Sequence, residues 1–412
     1  MSHFKEILIF LVAPGLVLGY CLGYFKAATA SKQGIAYHST PRYCGMYTLV
    51  WMLWPTVFIV LAASAFHLFG VYSASPLSLI IAFILGMCAV FIGLKNISPE
   101  LHAYHFVEKF IYTVLIAASV VSVLTTIGIL LSVVFEAVAF FKQVSFWHFI
   151  TGTQWSPDTA FLGGAGRGGE EVAKPMFGSV PLFAGTFMIT FIAMLVAIPV
   201  GLFSAIAMAE YSALPVRRLA KPALEILAGI PTVVYGFFAA VTVSPLVVEA
   251  ADFFNLEAQY TNALAPGLVM AGMTIPLISS LCDDVIMSVP QSLRAGSYAC
   301  GATHAETIKR VILPAAVPGI ISAVLLAVSR AVGETMIVVM AAGLRPNLTW
   351  NPLQGMTTVT VRIVDALTGD QSFDSTETLS AFALGLVLLV FTLTLNIISA
   401  IVIRKFRKQY TE

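Results

Sequence analysis

The sequence has few charged residues for its length. Its 412 residues include 22 Lys and Arg and 21 Asp and Glu, or 10% in all, whereas 58% of the residues are hydrophobic. A soluble domain carries about 25% charged residues, so this chain cannot cover a water-exposed surface of its size. A cytosolic enzyme, a nucleic-acid-binding protein and a disordered scaffold are therefore excluded as first interpretations. The composition predicts an all-α, polytopic membrane protein with lipid over most of its surface.

The motifs of common enzymes and cofactor sites are also missing. The sequence has no nucleotide-binding GxxxxGK[ST], no HExxH and no GxSxG. Its five cysteines form no CxxC pattern and no metal-type spacing with the seven histidines. Residues 163–169 contain GxGxxG, but no βαβ unit surrounds them, so we predict a flexible glycine loop. We predict no catalytic residue, no metal and no cofactor.

Long hydrophobic runs dominate what is present. A helix needs about 20 apolar residues to cross a bilayer, and nine segments meet this requirement. The predicted spans are 7–25, 47–70, 77–95, 110–138, 180–208, 224–249, 263–282, 315–342 and 380–403.

The distribution of Lys and Arg predicts the orientation of the spans. Most basic residues lie in segments on one side, which the positive-inside rule assigns to the cytoplasm. Nine spans then place the N-terminus outside and the C-terminus in the cytoplasm. The first span resembles a signal peptide in part, and eight spans in the mature chain remain an alternative.

One cytoplasmic segment, 284–314, is long and polar. Residues 291–300 and 303–312 suit two short helices, and Gly301 between them permits a tight turn. Pro314 is expected to open the next membrane helix, at a position that needs no amide donor. Such a two-helix projection between spans is suited to docking in a groove of another protein.

The same segment resembles the cytoplasmic loop of the permease subunits of ABC importers. That loop has the form E-A-A-x3-G-x9-I-x-L-P, and the G, I, L and P positions are occupied here by Gly301, Val311, Leu313 and Pro314. The opening triplet is Ala295-Gly296-Ser297, so the Glu and the two Ala are not matched. Residues expected in an ATPase-coupling loop are Tyr298, Gly301, Ala302, Glu306, Leu313 and Pro314.

Within this family, residues 108–412 are similar to the PstC-type permeases of phosphate importers. The similar stretches are Glu210-Tyr211, 227–236, the segment that ends at Pro314, and 329–336. The resemblance implies a type I importer permease core (MetI-like) of six helices over 108–412. It also implies an N-terminal membrane extension of about three helices over 1–107.

The resemblance implies a function and a set of partners. The chain would be the permease of an ATP-driven importer that carries inorganic phosphate across the bacterial inner membrane. ATP hydrolysis would take place on a separate cytoplasmic ATPase dimer, so the chain itself would not be an enzyme. A second, related permease subunit, a periplasmic phosphate-binding protein and membrane lipid complete the expected partners, with no nucleic acid.

Two charges inside the span 315–342 are candidates for the ion path. Arg330 and Glu334 are spaced i,i+4 and would share a helix face. A charge at the bilayer centre costs about 2.5–3.5 kcal/mol, and a guanidinium matches the geometry of phosphate. We predict that Arg330 lines the path and that Glu334 orients it. The alternative is a pair that only neutralises itself or joins two helices.

Other interpretations remain open at this point. Asp283 and Asp284 either orient the cytoplasmic loop or are solvated boundary charges, and Arg362 and Asp365 lie in a half-apolar outer segment with no assigned role. The cargo could be another oxyanion. A secondary transporter or channel is a further alternative, although it would need internal repeats or several intramembrane carboxylates.

Overall fold

The computed structural model describes residues 2–33, 38–68, 76–157, 175–369 and 375–409. These residues are almost entirely helical, as predicted. Within them, the one sheet is a two-stranded antiparallel pair of β1 (Trp155–Ser156) and β2 (Met176–Phe177). The glycine-rich stretch 163–169 lies outside the described residues.

The helices are named in chain order, and three of them contain or run into short π-helical turns. In the first part of the chain they are α1 (Ser2–Lys32), α2 (Pro41–Leu68), α3 (Pro76–Asn96), α4 (Ala103–Gln143) and α5 (Phe146–Thr151). The second part contains α6 (Val180–Ile206), α7 (Leu214–Ala228), α8 (Thr232–Phe238), α9 (Ser244–Phe253), α10 (Leu264–Met287), α11 (Gln291–Ala299), α12 (His304–Thr307), α13 (Leu313–Val332), α14 (Met336–Ala341), α15 (Val359–Thr368) and α16 (Thr376–Gln409).

The chain forms two compact units, Met1–Gly128 and Ile129–Glu412. Their boundary falls inside α4. In the first unit, α1, α2 and α3 pack against one another. The second unit holds the predicted cytoplasmic segment 284–314 and the predicted outer segment that contains Arg362 and Asp365.

Six helical segments of the described residues are long and apolar enough to cross a membrane. They overlap the six core spans predicted from the sequence, with different bounds: Ala103–Gln143, Val180–Tyr211, Thr232–Phe253, Leu264–Met287, His304–Val332 and Thr376–Val402. Helices α1 to α3 lie over the three predicted N-terminal spans, of which residues 69–70 are outside the described part of the chain.

The core of the second unit is built where α6 and α10 pack side by side. Both helices bury small residues at this contact, including Ala193 and Ala197 on α6 and Ala271 on α10. Small side chains let membrane helices approach closely, so van der Waals contact replaces the hydrophobic effect as the source of stability.

Two predicted spans differ in the structure. The span 224–249 begins later, at Thr232, because the Gly-Ile-Pro sequence at 229–231 separates it from the amphipathic helix α7. The prediction of one unbroken helix over 315–342 is wrong, since α13 ends at Val332 and α14 starts at Met336.

Candidate functional site

Residues 284–314, the predicted cytoplasmic segment, contain two short helices joined by a turn, as predicted. Helix α11 ends at Ala299, and Gly301 adopts a φ of +83°. This left-handed conformation costs a residue with a Cβ about 1–2 kcal/mol, which explains why glycine lies at this position. The turn lets α12 begin at His304.

A capping box fixes the start of α12. Thr303 Oγ1 accepts a hydrogen bond from the backbone N–H of Glu306, and the Glu306 carboxylate accepts one from the N–H of Thr303 at 3.0 Å. Each side chain thereby satisfies a backbone donor at the helix start that has no intrahelical partner. Glu306 therefore stabilises the start of α12.

The second loop helix continues directly into the membrane. α12 runs through a π-helical turn at Ile308–Ile312 into α13, so His304–Val332 is one helical segment. Pro314 lies in the first turn of α13, as predicted, but α12 runs into α13 without a break, so no separate helix begins there. The proline follows the π turn, where the regular hydrogen-bond ladder is already interrupted and a missing N–H costs little.

A buried ion pair attaches α11 to the membrane helices. Arg294, only 8% exposed, pairs with Glu210, which lies at the end of the helical segment Val180–Tyr211. Its second terminal nitrogen donates to the backbone oxygen of Ile286 on α10 at 2.9 Å. Arg294 thus joins α11 to the ends of two membrane helices on the side of the loop.

A second set of contacts involves Glu210 and its neighbour Tyr211. Tyr298 Oη and His304 Nδ1 lie 2.9 Å apart, and His304 Nε2 lies 3.2 Å from the backbone oxygen of Glu210. The ring of Tyr211 meets the His304 ring edge to face at a centroid distance of 5.1 Å. Both loop helices are therefore tied to the same turn after α6.

Helix α7 is tied to the inner end of α10 by charges. The side chain of Asp283 is fully buried and accepts from Arg217 Nη2 at 2.8 and 3.1 Å and from Lys221 Nζ at 3.3 Å. Lys221 also pairs with the exposed Asp284 at 2.8 Å, and this hydrogen bond raises the pKa of Lys221. The ion pairs of Asp283 and Asp284 thus go to α7 and not to the predicted cytoplasmic loop, and the buried Asp283 is not a solvated boundary charge.

The outer surface of the loop is open. Tyr298, Gly301, Glu306 and Pro314 are exposed, and Ala302 and Leu313 are partly buried. Exposed apolar side chains on the loop include Leu293. The loop thus has one face fastened to the membrane helices and one face free in the isolated chain.

The predicted pair Arg330 and Glu334 lies at a break between helices. Gly333 ends α13, and Glu334 lies in the non-helical link before α14. The two side chains therefore do not share a helix face, and within the described part of the chain no ion pair joins them. Arg330 is exposed and Glu334 is partly buried.

An outer segment inserts beside this break. Residues 355–361 are buried, and Thr360 Oγ1 donates to the backbone oxygen of Glu334 at 2.8 Å. The segment passes so close to α6 that a Cβ on Gly185 would lie 2.1 Å from the backbone oxygen of Thr357. Glycine at 185 is therefore required for this approach.

The same segment continues into α15, where Arg362 pairs with Asp365 at 2.7 Å and donates to the Leu344 oxygen.

Sequence reasoning missed the two strongest polar links. The sequence analysis assigns no partner to Glu210, Arg294 or Arg217. The sequence does show that residues of opposite charge lie close to the ends of several predicted spans, which makes ion pairs between span ends possible. Which of them meet depends on helix packing.

Comparison with known proteins identifies the family. The family described as binding-protein-dependent transport system inner membrane component matches residues 197–408, just over half of the chain. A probable ABC transporter permease protein of Bacillus subtilis, YqgH, is 34% identical over 245 residues, covering 60% of this chain and 74% of that protein. The phosphate transport system permease protein PstC 1 of Mycobacterium tuberculosis is 34% identical over 281 residues, covering 63% and 82%.

Among solved structures, the methionine ABC transporter MetNI in an inward-facing conformation is 16% identical, with a TM-score of 0.41. The match covers 56% of this chain and 94% of that one.

The chain belongs to the inner membrane components of binding-protein-dependent transport systems, that is, to the permease subunits of ABC importers. It is a multi-pass membrane protein and a transport component, as predicted, and ATP hydrolysis lies with a separate subunit. Members of this family work with an ATPase and a substrate-binding protein.

Proposed function

We propose that this chain is the permease subunit of an ATP-driven importer of inorganic phosphate in the bacterial inner membrane. The observation that carries the proposal is the likeness to phosphate permeases. PstC proteins of Mycobacterium tuberculosis, Mesorhizobium japonicum and Haemophilus influenzae are 34%, 31% and 29% identical to it. Each match covers at least 75% of the relative.

Arg330 is the proposed contact for the anion. It is exposed at the end of α13, next to a break in the helix, and no carboxylate neutralises it within the described residues. A guanidinium without a partner can bind phosphate through two parallel hydrogen bonds. A path must release the ion as well as bind it, so a single arginine is suitable and a cluster would not be. Glu334, whose backbone is fixed by Thr360, lies close enough in sequence to tune this site.

The coupling loop is proposed to dock on the ATPase. Its exposed residues include Tyr298, Gly301 and Glu306, and the loop is fastened to the membrane helices through Arg294. The continuous helix His304–Val332 joins this surface to Arg330. A displacement of the loop by the ATPase would therefore move the residue that contacts the ion.

The remaining partners and the orientation belong to the same proposal. A second, related permease completes the passage, and a periplasmic phosphate-binding protein delivers the ion to the outer face. The N-terminus lies in the periplasm and the C-terminus in the cytoplasm. Residues 1–107 form a membrane extension and residues 108–412 form the importer core.

Uptake by whole cells tests the proposal. A strain that lacks the gene is compared with the same strain carrying it, using labelled phosphate, sulfate and molybdate in separate assays. We expect gene-dependent uptake of phosphate alone, and uptake should stop when cellular ATP is depleted. Gene-dependent sulfate or molybdate uptake would indicate another oxyanion permease, and uptake that survives ATP depletion would indicate a secondary transporter.

A further inference from the structure

Helix α7 has a polar and an apolar face, and its apolar face is open. The polar face carries Arg217, Lys221 and Glu225. Leu219 and Ile226 lie on the opposite face and are 76% and 72% exposed. No residue of α7 is buried. Nothing in the described part of the chain covers this apolar face.

The connections of α7 place it at a membrane surface. The preceding membrane segment ends at Tyr211 and the next one starts at Thr232. Each link to α7 is only two or three residues long, and an extended chain spans at most about 3.6 Å per residue. Both ends of α7 are therefore held within about 15 Å of the ends of membrane helices.

Ion pairs determine which face of α7 is turned toward α10. Arg217 and Lys221 bind Asp283 and Asp284 at the end of α10. The polar face is thus turned toward the protein, and the two basic residues on it are neutralised. The apolar face points away from α10.

Arg218 differs from its two basic neighbours. It is exposed, and among the residues that the structure describes it has no ion-pair or hydrogen-bond partner. It precedes Leu219, about 100° away around the helix, so it lies at the edge of the polar face. A free cation at the edge of an exposed apolar face complements the phosphate of a lipid headgroup.

We propose that α7 is an interfacial helix that binds anionic lipid. Its apolar face lies at the boundary of headgroups and acyl chains, and Arg218 contacts the lipid phosphate. The leaflet is the one on the side of the coupling loop, because Asp283 and α11 lie at the same end of α10. The bilayer is favoured over a protein as occupant because membrane spans flank α7 on both sides. This proposal does not depend on which ion the importer carries.

Photocrosslinking in intact bacterial membranes identifies the occupant. p-Benzoylphenylalanine is placed in the full chain at position 219, at 226 on the same face, or at 225 on the polar face. We expect a lipid-sized mass increase after irradiation at 219 and 226, and none at 225. A crosslink from both apolar positions to another protein would overturn the proposal, as would no adduct at either.

A second measurement tests the headgroup contact. The purified full chain with the probe at 226 is placed in vesicles of equal phosphatidylcholine and phosphatidylglycerol, and the ratio of the two adducts is measured. Arg218→Gln should lower the phosphatidylglycerol preference about fivefold, whereas Arg218→Lys should retain it. An unchanged ratio in Arg218→Gln would refute the role of Arg218. Since uptake is not the readout, failure here is distinguishable from failure of the proposed transport function.

Discussion

At the residue scale, Arg294 shows how a charge can serve as an anchor. It is the one buried residue of α11, a helix whose other side chains are exposed or partly exposed. A short helix without an apolar face cannot attach itself by hydrophobic burial. The ion pair with Glu210 and the bond to Ile286 supply the attachment instead.

Removing one partner should be costly. Glu210→Ala leaves the Arg294 charge buried without its counter-ion, which typically costs about 3–5 kcal/mol. We expect a clear fall in the melting temperature of the purified chain in detergent. Glu225→Ala is the matched control, because Glu225 is exposed and such surface changes usually stay within about 0.5 kcal/mol. Equal melting temperatures for the two variants would contradict the anchoring role.

Arg330 has a different proposed role at the same scale. Arg330→Gln should abolish most phosphate uptake at a normal amount of protein, because the neutral amide loses the charge that attracts the anion. Arg330→Lys should retain part of the uptake, since the charge remains but the two-pronged geometry is lost. Arg404→Gln, an exposed arginine on α16, serves as control and should transport normally. Normal uptake by Arg330→Gln would show that Arg330 is not in the path.

At the scale of elements, two glycines of one loop have opposite requirements. Gly296 lies inside α11, where a Cβ would meet nothing within 4 Å, whereas Gly301 holds a φ of +83°. Helix propensity therefore favours alanine at 296 by about 1 kcal/mol. Left-handed backbone disfavours it at 301 by about 1–2 kcal/mol.

This contrast is directly measurable. Hydrogen exchange of the α11 and α12 amides should slow in Gly296→Ala and quicken in Gly301→Ala. Both variants add one methyl group to an exposed glycine of the same loop, so each is the control for the other. Faster exchange in both variants would indicate that the turn geometry at Gly301 is not what limits the stability of the loop.

The break between α13 and α14 is the second feature at this scale. Glycine at 333 weakens the helix, and the inserted segment 355–361 supplies Thr360 to hold the link at Glu334. The link therefore depends on a neighbour that lies later in the chain. Arg330 becomes accessible where the helix ends.

At the scale of the whole molecule, the free face of the coupling loop should determine assembly with the ATPase. Leu293 is 40% exposed on α11, and Leu293→Asp would place a charge in the proposed interface. We expect the co-purifying ATPase to fall at least tenfold, which corresponds to about 1.4 kcal/mol. Leu256→Asp is the control, because Leu256 is also exposed but lies between α9 and α10, away from the loop. Full recovery of ATPase with Leu293→Asp would place the contact elsewhere.

Much of the architecture could be predicted because the relevant signals are local. Runs of about 20 apolar residues predict membrane helices wherever they occur, and all six core spans are found. Gly301 and the spacing to Pro314 likewise predict the two-helix loop. Boundaries were less accurate, as at 224–249, because Gly and Pro interrupt a helix without changing its mean hydropathy.

The sequence by itself determined that this protein crosses a membrane, has a two-helix loop between spans and carries an arginine near the end of a span. Only the tertiary structure decided how the charges are used. Glu210 meets Arg294 across 84 residues, and Asp283 meets Arg217 across 66. Hydropathy is a property of consecutive residues, so a membrane helix can be predicted from a run of apolar residues. The partner of a buried charge depends on which helix ends pack together, and that is a property of the folded bundle.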